Sequence, residues 1–335
     1  MYERGHRIVF FERDVPYYSA TRDLRELETG SLCLYENWAE VEWLASHHLS
    51  SADVAIVTSY CPDGVAATRA VLGSGVPIKC FYDLDTPVTL SAIEAGEFPE
   101  YLDPRGLGDF DLVLSFTGGR TLDEIRRKLG ARNVFPLYGS VDPRAFAPHP
   151  KTERRALLSY LGTYAADRHA VFETLFMEPA RRRPAERFLI GGAQYPSDFP
   201  WLPNIEFKRH LAPPELPAFY ASARLTLNVT RRAMARMGYC PSGRLFEAAA
   251  CGAPIVTDWW EGIDTFFVPQ REIIVARSTE QVLAAFELSD RELESIAGAA
   301  RERALSNHTA ARRAEELEHL LEQHMSSTQP LAEAS

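Results

Sequence analysis

The chain has 335 residues, 46% of them hydrophobic, 24% charged and 11% aromatic, with five cysteines and a formal charge of −10. That length exceeds what one core usually organises and favours two domains, while the composition excludes a small disulfide-stapled fold. Acidic residues outnumber basic ones 22 to 14 in residues 1–150 but only 24 to 22 in residues 151–335, so nucleic acid is disfavoured as a partner and an anionic ligand is directed to the second half.

In chain order, short runs rich in Val, Ile, Leu and Phe alternate with helical patterns, the sequence form of parallel sheets covered by helices. The predicted strands of the first half are RIVFFERD from Arg7, DVAIVTSY from Asp53, VPIKCFYDLD from Val76, DLVLSFTGG from Asp111 and NVFPLYGSVD from Asn133. Ligands of open α/β sheets bind beyond the carboxyl ends of strands, so Asp83, Asp85, Thr117, Gly118, Gly119, Tyr138 and Ser140 are predicted to line a cleft. The Pro-rich stretch FAPHPKTERR from Phe146 reads as a linker. A second series follows: ALLSYLGTY from Ala156, RFLIGGAQY from Arg187, IEFKRHL from Ile205, RLTLNVTR from Arg224, APIVTD from Ala253 and EIIVARS from Glu272. The expected domains are 1–148 and 149–325, the second including a terminal helix over 290–324, with a disordered tail over 326–335.

At the start, Glu3 to His6 reads as the end of a helix stopped by Gly5 and followed by a strand. The expectation is an N-terminal domain lacking its first βα unit, on the order of 30 residues. No run approaches about 18 apolar residues and the N-terminus does not have the pattern of a signal peptide. The five cysteines form no CxxC pair, and a cytoplasmic location is expected.

The strongest local signal is GYCPSGRLFEAAACGAPIVTD, from Gly238 to Asp258. Pro241, Ser242 and Gly243 read as a loop with an N-cap, RLFEAAAC as a short helix ended by Gly252, and APIVTD as the next strand. Amides at such a helix start attract phosphate, and Arg244 adds a charged donor. Glu247 sits one turn inside, where a buried carboxylate needs donors that vicinal ribose hydroxyls can supply. A structural arginine partner for Glu247 is the alternative.

This segment resembles the donor-binding helix of group 1 type GT-B glycosyltransferases. The longer strings, among them RGHRIVFFERDVPYY, FYDLDTPVTL, FDLVLSFTGG, LYGSVDP, SYLGTYAADR, LNVTR and GIDTFFVP, are similar to the CgeB-like (spore maturation protein) branch across nearly the whole chain. The resemblance implies a GT-B fold of two Rossmann-like domains, an N-terminal acceptor domain and a C-terminal donor domain with the active site between them. Glu247 then resembles the second glutamate of a pair eight positions apart that holds the donor ribose, and Tyr239 stands where the first would be. Arg168, in LGTYAADR, falls where the family places a basic contact to the diphosphate. Asn228, Thr230 and Arg231 follow a strand and are expected near the same ligand, Arg231 alternatively as a surface ion pair.

The implied reaction moves a sugar from a nucleoside diphosphate sugar, a UDP-sugar foremost, to an acceptor hydroxyl, with no metal or other cofactor. Arg168, Arg231 and Arg244 would stabilise the leaving diphosphate. Asp85 is the candidate base and Asp83, Thr117, Gly118, Gly119 and Ser140 the candidate acceptor contacts; both aspartates alternatively form turns ahead of Pro87. Two rival readings stand: an epimerase or hydrolase on the same fold, and a non-catalytic nucleotide-sugar-binding or assembly protein.

Overall fold

A computed structural model describes every residue except 20, 21, 23, 25, 28, 29, 150, 151 and 329–335. Two residues of the predicted linker and most of the predicted tail therefore lie outside the described residues. The chain divides into two compact units, residues 1–138 with 313–335, and residues 139–312.

In the first unit the strands are β1 (Val9–Arg13), β2 (Ser31–Tyr35), β3 (Val54–Thr58), β4 (Ile78–Asp83), β5 (Leu112–Ser115) and β6 (Val134–Pro136). All pairings are parallel, β1 with β2 in a two-stranded sheet and β3-β4-β5-β6 in a four-stranded one. Alternation along the central strands gives each face its own core. Phe81 and Val113 pack with Leu102, Leu107, Phe110 and Ile125, whereas Ile78, Cys80 and Leu112 pack against Leu317 and Leu321. Each such fully buried aliphatic or aromatic side chain contributes about 1.5–3 kcal/mol.

The second unit carries β7 (Ala156–Leu161), β8 (Phe188–Gly192), β9 (Ile205–Arg209), β10 (Ala223–Asn228), β11 (Ile255–Thr257) and β12 (Ile274–Val275). They form one parallel sheet in the order β12-β11-β10-β7-β8-β9. Leu158, Tyr160, Phe188, Ile190, Leu225 and Leu227 fill one face, and Leu189 packs with Phe219, Ala156 and Ala223 in a second cluster. Order turns back on itself at β7 and β10, the arrangement that places ligands beyond their carboxyl ends.

Several expectations need correction. The boundary falls after Tyr138, not at 148, because Val141 is hydrogen-bonded to His308 and Ala310. The predicted terminal helix is two, Asp290–Asn307 and Ala310–Thr328. The break at His308 and Thr309 is where the backbone turns to pair with Val141 instead of continuing its own ladder. From Arg313 onward the last helix belongs to the first unit, since Leu317 and Leu321 are the residues that cover β4 and β5. It runs through 326–328, which were expected to be tail. Ser140, expected on the acceptor side, lies in the second unit.

Gly192 sits at φ +151, and a Cβ there would stand 2.1 Å from the Gly162 carbonyl oxygen. Gly192→Ala is expected to cost about 2–4 kcal/mol, lowering the melting temperature by several degrees. Gly298, on the exposed side of the Asp290–Asn307 helix with open space around it, gives the opposite sign. Gly298→Ala is expected to stabilise by about 0.5–1 kcal/mol in the same melts.

Candidate functional site

The Gly243–Ala250 helix follows the loop Gly238–Ser242 and packs small alanines inward, with Ala248, Ala249 and Ala250 all buried. Gly252, at φ +70, ends it as predicted: Gly252 N–H bonds Ala249 O and Ala253 N–H bonds Ala248 O, a Schellman pair. Ser242 holds the N-cap position, but its hydroxyl accepts the Arg244 guanidinium at 3.1 Å instead of capping an amide. The first amides of the helix have no partner within it.

Glu247 is largely buried, and its carboxylate accepts the Tyr220 hydroxyl at 3.1 Å. Burial raises its pKa, and the Tyr220 bond and the charge of Arg244 offset this only in part. The expected alternative, a paired structural arginine, is not what holds it: Arg244 acts on Glu247 through its charge while its own hydrogen bonds go to Ser242 and, at 2.5 Å, to Leu161 O. Gly162 makes room for this, since a Cβ there would lie 2.4 Å from Arg244 Nη1.

Arg168 is buried at 8% exposure. It donates to Thr163 O at 2.9 Å and Val229 O at 3.5 Å, and its Nε has no partner among the described residues. Its pKa is lowered, first by burial and then by the charges of Arg244 and Arg231. The three cations therefore act on one another, a cost that the charge of Asp167 offsets only in part. Arg231 takes the bland alternative in this structure: its Nε pairs with Asp167 at 3.4 Å, and Asp167 also accepts the Arg232 amide at 3.3 Å.

Asn228 and Thr230 flank the same loop after β10. Asn228 Nδ2 donates to Thr257 Oγ1 at 3.2 Å, whereas its buried Oδ1 has no partner among the described residues. Thr230 bonds Asp258, a carboxylate the sequence reading passed over although it ends APIVTD at a strand terminus. Tyr239 occupies the left-handed region at φ +47, its amide held by Glu261 O at 2.7 Å and its ring seated on Gly262. The structure thus brings Arg168, Asn228, Thr230, Arg231, Ser242, Gly243, Arg244 and Glu247 to the carboxyl ends of β7 and β10 and the adjoining helix.

In the first unit, Asp83, at the end of β4, accepts the Asp85 amide and the Thr89 hydroxyl, both at 3.1 Å, on Oδ1. The Asp85 contact is the Asx turn weighed as the alternative reading. Asp85 accepts the Tyr60 hydroxyl at 3.0 Å. Ser115, the register partner of Asp83, bonds Thr86 at 2.8 Å and the Thr117 backbone. Gly118 lies against the Tyr138 hydroxyl, 2.0 Å from where a Cβ would be, and Gly119 takes φ +59. Asp83, Asp85, Thr117, Gly118 and Gly119 are thus assembled at neighbouring strand ends. Among the described residues, no group of three or more His, Cys, Asp or Glu side chains could hold a metal ion.

Asp83 Oδ2 is buried without a partner among the described residues, and burial raises the pKa of this carboxyl. A folded-state pKa above the unfolded value of about 3.9 means that its contribution to stability is full below that value and is lost as pH rises through the folded one. Asp83→Asn removes this loss. The melting temperature of the variant relative to the unaltered protein is expected to be higher at pH 7.5 than at pH 4.5; a difference that does not vary with pH would contradict it.

The fold and these strand-end clusters define a class: the chain has the GT-B fold of two Rossmann-like units. Residues 168–319 match the family model described as glycosyl transferase-like. Similar solved structures include a sucrose-phosphate synthase from Thermosynechococcus elongatus, with TM-score 0.70 and 11% identity, covering 98% of this chain and 91% of that one. Another is Anabaena HepE in complex with UDP and glucose, at TM-score 0.63 and 10% identity, with 88% and 86% coverage. A glycosyltransferase from Rickettsia africae gives TM-score 0.63 at 10% identity, with 98% and 92% coverage. At these identities the likeness is one of fold. No curated protein sequence matches the chain. No helix among the described residues is long and apolar enough to cross a membrane.

Proposed function

We propose that the protein transfers a sugar from a nucleoside diphosphate sugar, a UDP-sugar foremost, to an acceptor hydroxyl, without a metal or other cofactor. The observation that carries this is the cation cluster of Arg168, Arg231 and Arg244 beside the buried Glu247, on a unit that matches a glycosyl transferase-like family. Glu247 has acceptor capacity for a ribose diol beyond its bond to Tyr220. Arg168 Nε and the first amides of the Gly243–Ala250 helix supply donors for a diphosphate. The bound UDP of the Anabaena neighbour supports uridine as the base.

Breaking the bond between sugar and diphosphate leaves negative charge on the departing phosphate, and fixed cations placed there lower the barrier. Asp85 would take the acceptor proton and Asp83, Thr117, Gly118 and Gly119 would contact the acceptor; Asp83 raises no objection to a ligand, since its Oδ2 is unpartnered. The CgeB-like branch remains part of this reading on the sequence strings, and a cytoplasmic location on five cysteines that form no CxxC pair. The test is product analysis with UDP-glucose and UDP-GlcNAc, each with and without hydroxyl acceptors. Acceptor-dependent release of UDP with a glycosylated product supports transfer. Acceptor-independent epimerised or hydrolysed sugar favours the rival enzymes, and tight UDP binding without turnover favours a binding protein.

A further inference from the structure

The parallel strands β10 and β11 end side by side, with Asn228 and Thr257 in register. Asp258, the next residue, is buried at 7% exposure and is not among the groups assigned above to the donor or the reaction. One of its oxygens, Oδ1, accepts both the Thr230 amide and the Thr230 hydroxyl at 2.9 Å, and the Thr257 hydroxyl at 3.5 Å. Thr257 Oγ1 in turn accepts Asn228 Nδ2. These bonds have one direction throughout. An ionised carboxylate accepts only, so the hydroxyl proton of Thr257 goes to Asp258 and its lone pair is left for the Asn228 amide nitrogen. Asn228 therefore turns its oxygen away from Thr257, and that oxygen is buried with no partner among the described residues.

We propose that Asp258 is a positioning residue for the donor site: it clamps Thr230 after β10 and, through Thr257, fixes the Asn228 amide so that Oδ1 is offered to a hydroxyl group of the bound nucleotide sugar. This rests on the donor-site reading given above. A hydroxyl is the ligand chemistry that fits, because an unpaired buried amide oxygen requires a donor and the neighbouring cations already supply donors for phosphate. The clamp also bears on Arg231 and on Val229 O, which Arg168 contacts, because both lie within one residue of Thr230. Burial raises the Asp258 pKa to about 6, with the two Thr230 bonds opposing the shift, so the carboxylate is ionised at neutral pH.

The test compares Asp258→Ala, Asp258→Asn and Thr230→Val with the unaltered protein, in calorimetric titrations with UDP and with UDP-glucose at pH 7.5. Hydrogen–deuterium exchange of the peptide over 228–235 is read in the same samples without ligand. Asp258→Ala is expected to speed exchange in that peptide and to weaken binding about tenfold. Thr230→Val, which keeps the amide bond, is expected to do less of both, and Asp258→Asn, which keeps an acceptor oxygen, to restore most of the affinity. Equal losses for UDP and UDP-glucose assign the hydroxyl to the ribose; a loss confined to UDP-glucose assigns it to the sugar. Unchanged exchange in Asp258→Ala overturns the clamp. Faster exchange with unchanged affinity for both ligands overturns the link to the donor while the donor site itself stands, and so does an Asp258→Asn as weak as Asp258→Ala. If the unaltered protein binds neither ligand, the donor-site reading fails first and the proposal falls with it.

Discussion

Glu247→Ala is expected to abolish the stabilisation that UDP gives the folded protein. A ligand that binds only the native state at a hundredfold excess over its dissociation constant adds about 2.7 kcal/mol. Removing a buried carboxylate that receives a ribose diol costs about 2–5 kcal/mol of binding. A hundredfold weaker dissociation constant leaves about 0.4 kcal/mol of that stabilisation at the same UDP concentration. For a chain of this size the difference amounts to several degrees in the melting temperature. Burial raises the Glu247 pKa, so the stability this carboxyl contributes falls as pH rises through its folded value. The alanine variant also leaves the buried Tyr220 hydroxyl without its acceptor, so ligand-free melts of both proteins separate a loss of binding from a loss of fold. Tyr220→Phe, which removes the hydroxyl donated to Glu247, should weaken UDP only severalfold. Full UDP-dependent stabilisation of Glu247→Ala would remove Glu247 from the ribose site.

Why Glu247 was legible and Asp258 was not follows from how each signals itself. A glutamate among alanines, on a helix opened by Pro-Ser-Gly and closed by Gly, departs from its local pattern and so attracts a chemical explanation. Asp258 ends a strand before two tryptophans, where an aspartate is unremarkable in sequence; its meaning depends on Thr230, which is 28 positions away and meets it only once β10 and β11 pair. The same distinction runs through the fold. Ten of the strands lie inside predicted runs and β10 begins one residue before its own, because each is a short apolar stretch with its own polar boundary. The strand β2, SLCLY, was missed: five residues with one serine and one cysteine carry little β-branched signal, and its pairing with β1 is what makes it a strand. The interruption at His308 and the allegiance of Leu317 and Leu321 to β4 and β5 are likewise set by residues far away in the chain. Local periodicity shows that these residues are helical but not which sheet they cover.

The second large effect is expected at Arg168. An arginine keeps its charge in proteins, so a buried one with an unpartnered Nε and two more arginines acting on it, offset only in part by Asp167, holds its position at an electrostatic cost. A diphosphate relieves that cost, and it does so most when the sugar bond breaks and charge accumulates on the leaving group. Arg168→Ala is therefore expected to lower kcat by about 10²–10³-fold, equivalent to about 2.7–4 kcal/mol, with a smaller change in the donor KM. Arg168→Lys keeps the charge but loses the planar fork that also holds Thr163 O and Val229 O, and is expected to recover only part of the rate. Arg231→Ala provides the contrast. Its guanidinium is partly exposed and already paired with Asp167, so its loss should cost about tenfold or less. Steady-state kinetics with a UDP-sugar that turns over, alongside melting curves showing that each variant is folded, decide the ranking. Equal losses for the two alanine variants would mean that burial does not set the weight of these cations, and an unchanged kcat in Arg168→Ala would take Arg168 out of the reaction.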